Sequence, residues 1–441
     1  MSKPELCSWG RYPKVPQYRH ACAWRNDLPG LFDKLIQQNL TTLPYGNGRS
    51  YGDSCLAASS ALLQTRQLDR LMSADWEHGI IRAEAGVTLA ELITIALPRG
   101  WFLPVTPGTK FVTLGGAVAN DVHGKNHHVR GTFGCHVRRF ALQRSDEQMP
   151  LECTPNQNTD LFRASIGGLG LTGVIVWVEL QLMPVHSSLI DSLTVRFDSL
   201  GEFFSLSEEF DQSHEYTVAW IDCLAKGKSA GRGVFSVGNH APSGQLQVDD
   251  RRRLSVPLTP PISLMNSLSL KLFNNAYYGL HKPGRHASQG SYDPFFYPLD
   301  SILNWNRIYG RQGFQQYQCV IPDAAAEDAM QEILSSIAAS GSGSFLAVMK
   351  RCGDVRSPGL MSFPMPGVSL ALDFPQQGQL DNSLFSRLDS IVRAANGRLY
   401  PAKDAHMGAS DFQAFYPDWQ QVEQLRDPAL LSLFWKRVTQ A

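Results

Sequence analysis

Apolar and polar positions along this chain follow two textures, and the change between them divides it. From Leu31 to Pro184, short β-branched apolar runs alternate with segments of helical period. The clearest helix starts at Thr88-Leu89-Ala90-Glu91, a capping box in which the threonine oxygen accepts from the Glu91 N–H and the glutamate reaches back. Leu89, Leu92, Ile93 and Ala96 then share one face, and Pro98-Arg99-Gly100 ends the pattern. Gly173 to Met183 is almost continuously apolar, as a buried strand is, with Pro184 at its exit. From His186 to about Asn396, strand-like runs (Tyr216–Ile221, Gly313–Val320) are interleaved with amphipathic helices expected over Asp323–Ile337 and Ser383–Ala395, the second stopped by Asn396-Gly397. This later texture predicts an α+β region with an antiparallel sheet. Gln316 and Gln318 stand beside aromatic residues in one of its strands, which fits a pocket wall and a half-exposed sheet face equally.

Three glycine-rich turns punctuate the first region: Gly46-Asn47-Gly48-Arg49-Ser50-Tyr51-Gly52-Asp53, Pro107-Gly108-Thr109 running on to Gly115-Gly116-Ala117, and Gly167-Gly168-Leu169-Gly170-Leu171-Thr172-Gly173. Each reads as a turn at a strand end. Glycine lets successive backbone N–H groups converge on one point, and such a concave donor surface binds phosphate oxygens. No Gly-Lys-Ser/Thr follows, so none is a P-loop; nor does the first open a helix with a third glycine, as a nicotinamide fingerprint would. Three turns in order, with Arg49, Ser50 and Thr109 among them, point to a long diphosphate-bearing cofactor cradled by loops. Flavin is the expected cargo.

Composition narrows the remaining classes. At 441 residues, with 43% hydrophobic and 18% charged, the chain has room for two domains with substantial cores. Lys+Arg and Asp+Glu total 40 each, so no net field favours nucleic acid. The 8 cysteines are scattered without a Cys-x-x-Cys pair, which fits reduced thiols rather than a disulfide frame or structural zinc. Met1 to Trp24 lacks an apolar core and does not read as a signal peptide, and no apolar run approaches membrane-spanning length. The expectation is a cytoplasmic protein, peripheral at the inner membrane face.

Several side chains carry candidate chemistry. His123-Gly124-Lys125-Asn126-His127-His128 follows the second turn; His123 and His127 have a metal-like spacing, but no carboxylate or cysteine nearby completes a set, so no metal is expected. The segment instead offers donors to an oxyanion or hydroxyl. Lys350 closes the apolar run Phe345–Met349, and Lys403 closes Leu399–Ala402; an ammonium at the end of a buried strand points into a cleft or snorkels to the surface. Finally, Arg251-Arg252-Arg253, three prolines and the apolar stretch Ile262 to Tyr278 read either as a loop with a partly buried helix or as a flap that touches a lipid surface or lipidic substrate.

With these residues in place, the chain resembles the vanillyl-alcohol-oxidase and p-cresol-methylhydroxylase (PCMH) type flavoproteins, and more closely the decaprenylphosphoryl-β-D-ribose 2-oxidase family, the flavin subunit of a two-component 2-epimerase. The matching words are Gly48–Asp53, His123–His128, Pro298-Leu299-Asp300, Asn304–Arg307, Gln316-Tyr317-Gln318, Ser362-Phe363-Pro364, Asp373-Phe374-Pro375 and Ala402-Lys403-Asp404, in family order from about residue 40 to the C-terminus. The resemblance implies an α+β, two-domain PCMH-type fold: an FAD-binding domain over 1–185, an antiparallel-sheet substrate domain over 186–397, and a segment 398–441 that returns to the FAD domain. It implies non-covalent FAD, since Arg49 stands where relatives that tether the flavin carry histidine. FAD contacts are implied for Gly46, Asn47, Gly48, Arg49, Ser50, Tyr51, Gly52, Asp53 and Ser54, for Gly108, for Thr113, Leu114, Gly115 and Gly116, for Asn120, Asp121, Val122 and His123, and for Ile175 and Tyr400. The implied catalytic set is Lys403, His123, Lys125, Lys350, Gln318 and Tyr51, with Trp220, Gln316, Gln318 and Lys350 against the substrate.

The implied reaction is FAD-dependent oxidation of the C2 hydroxyl of a polyprenyl-phosphoryl-β-D-ribose to the 2-keto sugar, the first half of epimerisation to the arabinose lipid. An NAD(P)H-dependent short-chain reductase would complete it. Lys403 is the first choice for holding the substrate oxygen. The chain departs from the family at Ser369 and Ala371, where Asn and Cys are frequent, and at Phe296-Tyr297, where the family shows Tyr-His; these positions border the pocket. The alternative is an FAD-dependent oxidase of a free sugar, alditol or aldonolactone, against which the chain lacks a His-Trp-x-Lys word near its C-terminus.

Overall fold

An eight-stranded antiparallel sheet dominates the second half of the molecule, and its register decides which side chains meet. The computed structural model describes residues 6–249, 251, 253–376 and 379–439. In the sheet the strands run in the order Arg285–Ser291, Leu189–Phe197, Gly233–His240, Tyr216–Ile221, Ala347–Cys352, Gly367–Pro375, Phe314–Pro322 and Arg398–Leu399. Its two faces follow the period of two. One face buries Ala219, Phe235, Tyr317, Cys319, Met349 and Leu370 among residues of the helices Leu200–Phe210, Ala326–Ser340 and Gln379–Ala394, including Phe203, Phe210, Met330, Ile333 and Leu388. The other face is free to build a pocket.

The first half carries a five-stranded antiparallel sheet, ordered Leu71–Asp75, Ile80–Glu84, Val174–Gln181, Val137–Gln143 and Leu151–Cys153, and a small parallel sheet of Tyr18–Ala21, Ala61–Gln64 and Thr42–Tyr45. Val174–Gln181 is the central, buried strand, as its apolar run predicts. The helix Leu89–Ala96 has the expected capping box: the Glu91 N–H donates to Thr88 Oγ1, and Glu91 accepts from the Thr88 N–H.

After Arg398–Leu399, which edges the large sheet, the chain crosses back to the first half. The Thr42 N–H donates to the Ala429 carbonyl, the Leu431 N–H to Thr42, and the Leu433 N–H to Leu56. The C-terminal segment thus begins on one sheet and ends beside the first glycine turn.

Three elements differ from the sequence expectations. The second glycine turn leads into a helix, Leu114–Ala119, although two glycines and a valine are poor helix formers. Thr113 caps it by accepting from the Gly116 N–H, and burial of Leu114, Ala117 and Val118 overrides propensity. The helix expected from Asp323 starts at Ala326 after a 3-10 turn, and the one expected from Ser383 starts at Gln379. Lys350 lies inside its strand rather than at its end, and Lys403 sits in a turn beyond Arg398–Leu399.

Candidate active site

The glycine turns and the open face of the large sheet enclose one cavity of ≈ 630 Å³. Its first wall is mostly backbone and short side chains: Gly46 to Tyr51, Ser54, Gly108, Thr113, Gly115, Gly116, Asn120, Val122, Ile175 and Tyr400 all line it. Gly48 has a φ of +59°, a conformation that side chains rarely adopt, and a Cβ there would run into the Tyr45 hydroxyl. The third turn contributes only Leu169, Gly170 and Gly173. Gly167 and Gly168 pack instead against the backbones of Met361 and Ala164.

Four residues expected to touch the cofactor stand behind this wall. Leu114 is core. Asp121 is wholly buried and accepts from the Gly134 N–H at 2.8 Å and Ser357 Oγ at 2.5 Å. Gly52 allows the close approach of two distant segments, since a Cβ there would run into the Asp404 carbonyl oxygen. Asp53 is clasped by Arg437 of the last helix, at 2.8 and 3.0 Å, and the same guanidinium reaches Asp404 at 2.9 Å. None of the four lines the cavity.

The second wall is a row of side chains across five strands. Val234 lies opposite Trp220, Trp220 opposite Val348, Val348 opposite Ala371 and Ala371 opposite Gln318, and all five line the cavity. Gln316 and Lys350, two residues along their strands, face the same way. The sheet-wall reading of Gln316 and Gln318 therefore holds. Trp220 donates from Nε1 to the Phe345 carbonyl at 2.9 Å and packs on Tyr277, with ring centroids 4.7 Å apart. These aromatic rings, with Phe273, form an apolar end.

The cationic groups meet between the two walls. Lys350 Nζ donates to His123 Nδ1 and to the Gly124 carbonyl. His123 Nε2 lies 3.2 Å from the side-chain amide nitrogen of Gln318. Burial, reinforced by Lys350, holds His123 well below the ordinary histidine pKa and therefore neutral. Burial brings Lys350 down to about 8 and Lys125, with help from Lys350, to about 7. Lys125 donates to the Phe295 carbonyl, and its own carbonyl accepts from the Thr217 N–H at 2.9 Å, so its loop is pinned to the sheet. Lys403 Nζ rests 3.7 Å above the Tyr51 ring, and burial brings it to about 7. The Tyr51 N–H donates to the Ala402 carbonyl at 3.0 Å, which fixes this pair across the length of the chain. Three lysines able to lose a proton near neutrality, beside a neutral imidazole, suit an alcohol that must give up its proton.

Asp373 and Asp300 were not among the site residues expected from the sequence, and Asp300 lines the cavity. Asp300 accepts from the Lys110 N–H at 2.9 Å and faces Arg49. The signal for Asp373 was a lone carboxylate in an apolar strand, two residues from a pocket position. Of the basic stretch, Arg251 pairs with Asp249 at 2.7 Å, Arg253 stacks 4.8 Å from Phe111, and Arg252 lies outside the described residues. No group of three or more His, Cys, Asp or Glu side chains that could hold a metal occurs among the described residues.

A flavin dinucleotide fits the first wall. Gly108 has open space where its Cβ would be, Gly46 would strike Thr113, and buried Arg49 Nε and Ser54 Oγ have no partner in the protein. Residues 26–147 match the FAD binding domain family. The decaprenylphosphoryl-β-D-ribose oxidase of Mycolicibacterium smegmatis is 35% identical over 396 residues, covering 87% of this chain and 85% of that protein. A Streptomyces coelicolor protein of uncharacterized role is 32% identical over 78% of this chain and 96% of its own. The L-gulonolactone oxidase of Mus musculus is 28% identical over 40% of each chain. The long matches span both walls of the cavity, and the chain belongs to the decaprenylphosphoryl-β-D-ribose oxidase family of FAD-dependent oxidoreductases.

Proposed function

We propose that this protein oxidises the C2 hydroxyl of a polyprenyl-phosphoryl-β-D-ribose to the 2-keto sugar. The observation that carries this reading is the single cavity whose glycine wall, lysine-and-glutamine centre and aromatic end match a dinucleotide, a sugar phosphate and an apolar tail in turn. FAD, bound without a covalent link, supplies the hydride acceptor. Lys403 holds the ribosyl O2 and takes its proton; at about 7 its amine is free for that task near neutral pH. Lys350 and Lys125 answer the negative charge of the phosphoryl-ribose, and Gln318 and Gln316 hydrogen-bond sugar hydroxyls. His123, neutral and held by Lys350, keeps Gln318 in place. Tyr51 carries Lys403 on its ring face, and Trp220 walls the sugar from the apolar end.

The apolar end opens beside the helix Ser267–Leu280, where Phe273 both lines the cavity and is half exposed. Leu268 and Leu272 on that helix are 67% and 64% exposed, with Leu258 and Ile262 also bare, and Arg251 and Lys271 nearby in sequence. No helix among the described residues is long and apolar enough to cross a membrane. Such a rim suits peripheral contact with a lipid surface from which the polyprenyl chain enters, on the cytoplasmic side, where eight free cysteines stay reduced. The 2-keto product calls for a nicotinamide-dependent short-chain reductase as the second component.

Anaerobic addition of a short-chain polyprenyl-phosphoryl-ribose to the yellow protein tests the reading. Bleaching with the phosphoribose but not with free pentitols or aldonolactones is expected. Bleaching with a soluble sugar alone would keep the flavin chemistry and overturn the substrate.

A further inference from the structure

Asp373 lies within the apolar strand Gly367–Pro375, is 0% exposed, and has no hydrogen-bond partner for Oδ2. A buried carboxylate oxygen without a partner is costly unless a nearby charge compensates it. Its direction follows from the register. Asp373 is opposite Gln316 as Ala371 is opposite Gln318, so it points to the face of the sheet that builds the cavity. There Gln316 Nε2 covers Oδ1 at 2.6 Å. The titratable groups that face Asp373 are Tyr51 from the first glycine turn, Tyr309 from the 3-10 turn Trp305–Tyr309, and Lys403.

Lys403 is placed to need this carboxylate. Among the described residues its ammonium has no hydrogen-bond or ion-pair partner, resting only on the Tyr51 ring. The other ionisable group turned toward it is His123, which is neutral. Asp404, its sequence neighbour, is turned onto His406 and Arg437 instead. Two groups of opposite charge, each short of a partner among the described residues, therefore stand on the cavity side of the sheet without a direct ion pair between them.

We propose that Asp373 is the counter-ion of Lys403, stabilising the ammonium that Lys403 becomes when it takes the ribosyl O2 proton and so setting the pH at which it acts as base. This rests on the proposed function. The O2–H bond breaks and its proton passes to the neutral Nζ; the C2–H bond breaks and its hydrogen would leave with the bonding pair as hydride to the flavin; the C2=O bond forms; the Asp373 carboxylate exchanges no proton in the step. It acts through Lys403, as the buried aspartate of a serine-protease triad acts through its histidine, and is a positioning residue. Burial pushes Lys403 down and Asp373 up; Asp373 pulls the lysine back up, and Gln316 and then Lys403 pull the aspartate back down.

The test is the pH profile of anaerobic flavin reduction by a short-chain polyprenyl-phosphoryl-ribose in wild type, Asp373→Asn and Asp373→Glu. Without the carboxylate the ammonium loses its stabilisation. The midpoint of the rise in rate with pH then falls by about one unit or more, the plateau rate drops, FAD content is unchanged, and Asp373→Glu restores the midpoint. A slower Asp373→Asn enzyme with an unmoved midpoint would mean a merely structural role and overturns the proposal. If Asp373→Asn fails to hold FAD, the Asp373→Asn/Lys403→Met double variant decides. Removing both charges restores FAD content if the two are a pair, and continued loss overturns it. That last readout needs no substrate, so it stands even if the phosphoribose fails to bleach the wild type, which would sink the substrate reading alone.

Discussion

The two walls of the cavity are made of different material. The cofactor wall is a mould of backbone, in which the size of each residue matters more than its chemistry: Gly46 and Gly48 each lie where a Cβ would collide with a neighbour. The sheet wall is a row of side chains held at fixed spacing by strand pairing, Trp220, Gln318 and Lys350 among them. A mould binds one thing, whereas a row of side chains can be retuned.

Lys403 stands where the walls meet, and its removal gives the largest expected effect. Lys403→Ala should keep its FAD, because the glycine wall is untouched, yet lose substrate-dependent flavin reduction by about 10²–10⁴-fold, the range for a positioned base. Rapid-mixing absorbance measures this directly. A normal reduction rate would remove Lys403 from the mechanism and make the two walls independent.

Arg437 breaks the other side of the comparison. It lies in the last helix, touches no cavity residue directly, and joins Asp53 of the first turn to Asp404 beside Lys403. Arg437→Ala leaves two buried carboxylates facing each other, a loss of about 3–5 kcal/mol for a broken buried pair. Because Asp53 and Asp404 flank both halves of the site, FAD occupancy and thermal stability should fall together. Loss of stability with full FAD occupancy would show that the mould does not depend on the clasp.

The same contrast explains what the sequence disclosed. The cofactor wall was legible because a mould needs glycine and glycine is conspicuous; even so, Gly52, Asp53, Leu114 and Asp121 do not line the cavity, since a motif does not reveal which of its residues face inward. Gln316 and Gln318 were legible as a polar alternation, but their face was settled only by pairing with Gly367–Pro375 on one side and Arg398–Leu399 on the other. Asp373 was missed for that reason. In sequence it is a charge in an apolar strand, and only the register with Gln316 turns it toward Lys403. The contact of Lys403 with Tyr51 depends on a chain reversal that no local pattern encodes. Likewise Thr113 announces a helix only once the burial of Leu114 and Val118 is known.

A substitution confined to the sheet wall should separate the walls cleanly. Gln318→Ala removes the side chain whose amide nitrogen meets His123 Nε2 at 3.2 Å. The loss of one hydrogen bond to the sugar, about 0.5–1.5 kcal/mol, predicts a several-fold weaker KM for the phosphoribose with unchanged flavin content and spectrum. A shifted flavin spectrum would mean that the row of side chains also shapes the cofactor site.

The smallest effect lies in the clasp behind Lys403 and is read by pH. His406 sits between Asp404 at 3.1 Å and Asp389 at 3.2 Å. Burial pushes its pKa down, but the two carboxylates outweigh burial and raise it above 6.5. Asp404 is pushed up by burial, and His406 and Arg437 together bring it below 3.8. A raised histidine contributes stability that is complete below its unfolded value and is lost as pH climbs through the folded one; a lowered aspartate contributes stability that is complete above its unfolded value and is lost as pH falls through the folded one. The clasp is therefore strongest between the two unfolded values, 3.8 and 6.5, and weakens on the alkaline side first. Thermal midpoints of wild type and His406→Asn, measured from pH 5 to pH 9, should differ most at the acidic end and converge as pH rises. A constant difference would mean that His406 acts by packing on Tyr317 and Phe385 rather than by charge, and that the support behind Lys403 is as much a mould as the glycine wall in front of it.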